Sequence, residues 1–302
     1  MADFVTGRVR VSVPASSANL GPGFDSLGLA LDLRDRVVAE VAGSGVAITV
    51  TGEGAGQVPV DEQNLVYRAS ARAFMQMGRE VPSLSLRCEN LIPHGRGLGS
   101  SSAAIVAGIC AARGLVPGGS LLMDDAAVFS LAATMEGHPD NVAPAFFGGF
   151  TIARSEGEGF LATIVRIDPR VNVVVFVPPT PVETTAARGL LPEFVPHASA
   201  AANAGRTALL VAALSGRPDL LFPATEDRIH QDYREPAMPQ TLRLVRELRS
   251  HAVAAVVSGA GPSVLAFADA SELGQLKSQA PEGWQALVLR VDRDGARVTS
   301  DG

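Results

Sequence analysis

A chain of 302 residues, 47% hydrophobic and 19% charged, can form one large or two modest folded units, and its composition excludes intrinsic disorder. A net charge of -6, a pI near 5.4 and a single lysine, Lys277, exclude a broad basic surface for nucleic acid, so any phosphate site must be local. Cys88 and Cys110 are too few for a disulfide framework or a four-cysteine zinc site and are expected as buried thiols; Met1–Pro14 lacks an apolar signal core, and no apolar run approaches the roughly 20 residues that span a bilayer, so a cytoplasmic protein without a membrane partner is expected.

In chain order, Val9–Val13 alternates as a strand and is expected to end at Pro14, opening a loop from Ala15 to Asp25. Val37–Val41 and Val46–Thr51 read as a pair of strands around the turn Gly43-Ser44-Gly45. Leu65, Ala69, Ala73 and Met77 recur every four residues, which predicts a helix with one apolar face. Leu84, Leu86 and Cys88 alternate as a strand, followed by a glycine-serine loop and the apolar run Ala103–Ala112. Met123–Met135 reads as a helix broken at Gly137-His138-Pro139.

The second half begins near Phe150. Thr151–Ala153 and Val171–Val177 read as strands, and Ala200–Ser215 and Leu242–Leu248 as helices. Val253–Val257 and Val264–Phe267 read as strands on either side of Ser258–Ser263. Strands and helices mix without strict β-α-β alternation, which predicts an α+β fold, with a division into 1–160 and 161–302.

The richest segment is Pro93-His94-Gly95-Arg96-Gly97-Leu98-Gly99-Ser100-Ser101-Ser102. Glycines let backbone amides approach a ligand, and the unpaired amides at a helix start favour an anion. A polyphosphate is the expected guest. No Gly-Lys-Ser/Thr closes the loop, and no glycine follows at the dinucleotide spacing, so neither of those patterns applies. Glu136, His138, Asp140 and Asn141 crowd two acids, an imidazole and an amide into six residues beside apolar sequence, where such groups need partners. Glu136 is a candidate Mg²⁺ ligand. Arg188 and Arg234 are candidates for clamping a carboxylate or phosphate.

Three segments together resemble the GHMP small-molecule kinases: Pro14–Asp25, Pro93–Ala103 and Ser258–Ser263, in that order. Within that family the wording Asn19-Leu20-Gly21-Pro22-Gly23-Phe24-Asp25, the run Glu136–Pro144, Thr184 with Arg188, and Asp232-Tyr233-Arg234 are most similar to the homoserine kinases. The resemblance implies an N-terminal domain like the second domain of ribosomal protein S5 and a ferredoxin-like C-terminal domain. It implies ATP and Mg²⁺, phosphoryl transfer to the side-chain hydroxyl of L-homoserine in threonine synthesis, and a homodimer. Another small alcohol as acceptor, or a ligand-sensing member without catalysis, are the alternatives.

Carried over by position, Pro93, Gly95, Arg96, Gly97, Leu98, Gly99, Ser100, Ser101 and Ser102 hold the phosphates, and Asn64 lines the adenine pocket. Asn19, Asp25, His138, Asp140, Thr184, Arg188, Arg234 and Gly259 surround homoserine, its ammonium facing acids and its carboxylate facing arginines. Glu136 and Ser101 bind the metal; Asp140, Asn141 and Arg188 are the residues expected at the reacting atoms. Where some family members place an aspartate base, this chain has Asn141. Positioning and electrostatics are therefore expected in place of a base, with the hydroxyl proton leaving to the γ-phosphate.

Overall fold

The computed structural model describes residues 4–157 and 159–301; positions 1–3, 158 and 302 of the two expected units lie outside it. β1 (Val9–Ala18) pairs antiparallel with the long β2 (Leu27–Val41). The strand expected to stop at Pro14 runs on to Ala18, because the ladder shifts register between Pro14 and Ala15 and so accommodates a residue without an N–H.

β3 (Val46–Gly52) and the second half of β2 are not paired with each other, contrary to the expected hairpin. α1 (Leu65–Gln76) leads into β4 (Leu84–Asn90), which inserts between them, antiparallel to β2 and parallel to β3. The reason lies in the side chains. Leu84, Leu86 and Cys88 of β4 are buried, whereas Thr49 and Thr51 of β3 are exposed and suit a sheet edge. A parallel neighbour also requires a crossover, which α1 supplies.

The central helix of this half is α2 (Ser100–Leu115), buried on nearly every side between the sheet and its fellow helices, as an all-apolar helix must be. Gly108 lets α1 approach closely: a Cβ there would strike the Val66 carbonyl oxygen and the Ala69 side chain. α3 (Gly119–Leu122), α4 (Asp125–Glu136) and α5 (Val142–Phe147) follow. β5 (Phe150–Glu156) pairs with the start of β2, and β6 (Gly159–Val165) pairs with β5, so the expected division at residue 160 falls inside a strand.

β7 (Asn172–Val177) opens a second, antiparallel sheet. α6 (Thr184–Arg188), α7 (His197–Gly216), α8 (Leu221–Ala224) and α9 (Pro239–Ser250) intervene before β8 (Ala254–Val257) and β9 (Val264–Ala268). After α10 (Leu273–Lys277), β10 (Gln285–Leu289) completes the order β10-β7-β9-β8. This sheet is covered on both faces. Val173, Val175 and Val177 join the main core, while Val174 and Phe176 join a second cluster with Leu242, Val245 and Leu248 of α9. Double burial explains the continuous valine run. The last strand, β11 (Arg297–Ser300), returns to the first sheet and pairs with β1.

Candidate active site

The glycine-serine loop lies where the expected motifs converge. It leaves β4 over Asp35 of β2, whose carboxylate accepts the Leu91 and Ile92 amides at 2.7 and 2.9 Å. Burial pushes the Asp35 carboxyl up to about 6, against the pull of those two amides. Farther along, Ser16 N donates to Leu98 O (3.0 Å), Ser258 Oγ to Gly97 O (2.7 Å) and Val182 N to Gly95 O (3.0 Å). Gly97 and Gly99 both have φ of 71°, and a Cβ on either would collide, with Ser258 O at Gly97 and with Ser16 Oγ at Gly99. Gly99 precedes α2 and no side chain caps the helix, so its first amides are available to an anion.

α4 delivers the acidic side of the site. Its last residue, Glu136, accepts a 2.6 Å hydrogen bond from Ser101 Oγ in the first turn of α2. The chain then turns at Gly137, φ 90°, and brings His138 Nδ1 to 2.8 Å from Asp140 Oδ1. Burial pulls the His138 imidazole down, but the Asp140 hydrogen bond and the charges of Asp140 and Glu136 outweigh it and leave it above its ordinary value. Asn141 Oδ1 accepts from Ser16 Oγ at 3.0 Å.

The remaining wall comes from the first loop and the second half of the chain. Asn19 has φ of 67°; its amide donates to Gly259 O (2.8 Å) and its oxygen accepts Asp25 N (2.9 Å). Arg188, at the end of α6, grips Asp25 with two nitrogens at 2.6 and 3.1 Å, and that contact holds its guanidinium above the ordinary value. Arg234 is buried and donates to Gly259 O at 3.0 Å. Burial and the neighbouring Arg188 charge draw it down to about 10, so it stays protonated at neutral pH.

These groups enclose a cavity of about 200 Å³. Roomier hollows of about 610 and 890 Å³ lie on the outer face of the first sheet and beside α9 and α10, but neither meets the glycine loop or the α2 amides. A helix start, an acid beside a serine hydroxyl, and arginines with acids around one small space fit a phosphate donor opposite a zwitterionic acceptor.

Comparison with known proteins agrees. Residues 64–149 match the GHMP kinase N-terminal domain and residues 209–286 the GHMP kinase C-terminal domain. A homoserine kinase of Streptomyces coelicolor is 54% identical over 297 residues, spanning 98% of this chain and 96% of that protein. The chain belongs to the homoserine kinase family of GHMP kinases. The crystal structure of homoserine kinase from Cytophaga hutchinsonii matches with a TM-score of 0.85 at 27% identity, covering 99% of this chain and 98% of that one. Mevalonate diphosphate decarboxylase from Staphylococcus aureus, at 14% identity and a TM-score of 0.67 over 97% of this chain and 98% of that one, shares the fold. The expected α+β fold with GHMP kinase N- and C-terminal domains is borne out.

For this homoserine kinase family member, the structure brings most of the expected site residues to one cavity. Asn19, Gly95, Gly97, Leu98, Gly99, Ser100, Ser101, Glu136, His138, Asp140, Asn141, Thr184, Arg188 and Arg234 all line it. Others stand behind it. Asp25 reaches it through Arg188, and the Gly259 carbonyl anchors Asn19 and Arg234. Ser102 is fully buried, its hydroxyl without a hydrogen-bond partner, and Pro93 leads into the loop. Arg96 spends its guanidinium on the carbonyls of Pro178, His94 and Pro179, bracing the loop against the second half. Asn64 caps α1, accepting from Val66 N (3.0 Å) and donating to Pro59 O (2.7 Å). Sequence reasoning missed Asp35, Ser16 and Ser258 as loop supports; hydroxyls and a buried acid that act on distant carbonyls and amides leave no local pattern.

Proposed function

We propose that the protein transfers the γ-phosphoryl group of ATP to the side-chain hydroxyl of L-homoserine, giving O-phospho-L-homoserine for threonine synthesis. The observation that carries this reading is the single small cavity shared by the start of α2, the Ser101–Glu136 pair and the Asp140, Arg188 and Arg234 charges, with Asp25 behind it on Arg188. The amides at the start of α2 receive phosphate oxygens, and the glycine loop shapes the path toward them. On the family resemblance, Asn64, the N-cap of α1, is the residue proposed to bound the adenine side.

Among the described residues no group of three or more His, Cys, Asp or Glu could hold a metal. One carboxylate with one hydroxyl nonetheless suits Mg²⁺, which keeps water and phosphate oxygens as its other ligands, so Glu136 and Ser101 would hold it. When bound, it neutralises charge on the transferring phosphate. Asp25 and Arg188 are already paired, as are His138 and Asp140. A zwitterionic acceptor exchanges these internal contacts for its own, carboxylate to Arg188 and Arg234, ammonium to Asp25 and Asp140.

The Asn141 carboxamide cannot take up a proton, and Asp140 is engaged by His138 and by the Asn141 backbone N–H (3.1 Å). Phosphoryl transfer then rests on alignment and on charge from Arg188, the hydroxyl proton passing to the γ-phosphate. ADP release measured over homoserine, mevalonate, galactose and shikimate tests the proposal. Release with homoserine alone is expected; release with none of them overturns it.

A homodimer is the proposed assembly, on the family resemblance, and sedimentation at twice the 31.2 kDa chain mass is expected. No helix among the described residues is long and apolar enough to cross a membrane. The buried, unpaired Cys88 and Cys110 suit the reducing cytoplasm proposed as its location.

A further inference from the structure

Beneath the acceptor side, outside the residues that line the cavity, lies an aromatic cluster. The Phe24 ring stacks on His230, centroids 5.1 Å apart and planes 29° apart. The guanidinium carbons of Arg188 and Arg234 lie 5.7 and 5.8 Å from the centre of that same ring. Both distances are within the range at which an aromatic face attracts a cation. One ring therefore touches both arginines of the acceptor side.

The ring is braced by groups from the second half of the chain. His230 is fully buried, with Nε2 2.7 Å from the Gly21 carbonyl oxygen. A carbonyl only accepts, so Nε2 carries the proton and donates. Nδ1 has no partner, and burial, with the Arg234 charge, pulls the imidazole down despite Asp227 and Asp25. A neutral ring follows, which adds no third positive charge beneath two guanidinium groups. Asp227 fixes the turn that bears it by accepting the amides of Ile229, His230 and Gln231. The adjacent Pro22 carbonyl accepts from Asn203 Nδ2 and Thr207 Oγ1 of α7, both at 2.7 Å. Phe24 is thus held at a fixed height.

Two like charges converging on one small anion repel each other, and their spacing must be imposed. We infer that Phe24, propped by His230, is a positioning plate that sets the separation of the Arg188 and Arg234 guanidinium groups and so selects an acceptor bearing a carboxylate. This rests on homoserine being the acceptor. Phe24 is not among the residues that line the cavity, so the plate acts through the two arginines.

The test compares L-homoserine with 3-aminopropan-1-ol, the same amino alcohol without the carboxylate. In Phe24→Leu, KM for homoserine rises about tenfold while KM for ATP stays within about twofold, and any fall in kcat through Arg188 is shared by both acceptors. Preference for homoserine over 3-aminopropan-1-ol, as a ratio of kcat/KM values, shrinks by the same factor. Phe24→Tyr keeps the ring face and restores both quantities, and His230→Asn reproduces the leucine effect. Thermal unfolding of each variant separates folding from positioning. An unchanged homoserine KM in Phe24→Leu overturns the plate, as does an equal loss toward both acceptors, which general loosening produces. A wild-type protein inert toward homoserine overturns the acceptor assignment and the plate with it, whereas an active wild type with an indifferent Phe24→Leu overturns the plate alone.

Discussion

At the scale of single residues, the division between Asp140 and Asn141 decides how the hydroxyl proton leaves. Asp140 is almost wholly buried and tied to His138, so its carboxylate suits an ammonium better than a proton in flight. Asp140→Asn is expected to raise KM for homoserine strongly while kcat at saturating acceptor stays within about tenfold, since loss of a true general base costs roughly 10²–10⁴ in rate. Steady-state kinetics read the split; a collapsed kcat with unchanged homoserine affinity would make Asp140 the base. Asp35 gives a stability signature. Its carboxyl is raised from 3.8 to about 6, so the folded state binds a proton the unfolded chain has already lost between those values. Stability from this group therefore falls as pH rises from about 4 to about 6, by up to ~3 kcal/mol, and the penalty is complete above that window. Glu53 adds to the effect and the Leu91 and Ile92 amides oppose it. Urea denaturation across that range should show a slope in the wild type that Asp35→Asn removes. His138, raised as well, contributes stability that is whole below its ordinary 6.5 and fades as pH climbs through its raised value.

At the scale of elements, the glycine loop is a junction of three strand-end segments. Gly97→Ala puts a methyl group against Ser258 O, and the loop must shift to release it. Because a misplacement of about 1 Å can cost about 10²-fold, kcat/KM for ATP should fall by that order while far-UV circular dichroism is retained. A fall of less than about threefold would mean the loop tolerates the shift. Helices were legible in the sequence because period-four burial and apolar runs survive without tertiary help: α1, α4, α7 and α9 lie where Leu65–Met77, Met123–Met135, Ala200–Ser215 and Leu242–Leu248 predicted them. Strand partners were not legible. Whether β3 lies beside β2 or β4 depends on which edge is buried; β2 begins ten residues before the predicted Val37, where Leu27, Leu29, Leu31 and Leu33 alternate in a strand signal that the reading from Val37 left out. The candidate site was legible as three motifs. Their mutual bracing was not, because Ser16 on Asn141, Ser258 on Gly97 and Asp35 on Leu91 join residues far apart in the chain.

At the scale of the whole molecule, the first and last parts of the chain share one sheet. Arg34 of β2 forms a buried ion pair with Asp292 and donates to Ser12 O (2.8 Å) and Gly295 O (2.5 Å), clamping the C-terminal segment onto β1 and β2. Asp292→Ala leaves that guanidinium buried without its anion and should cost about 3–5 kcal/mol, read as a lower urea midpoint with an unchanged slope. An effect below ~1 kcal/mol would mean the pair is dispensable.

The return of β11 to β1 also orders events during translation. The glycine loop and both arginines leave the ribosome well before Arg297–Ser300 do. Until Arg297–Ser300 emerge, β1 stands as an open edge with unpaired amides and carbonyls, the form in which a nascent chain is most exposed to pairing with a neighbour. Closure of the sheet thus waits for β11, and that strand serves the growing chain as a seal against its own copies.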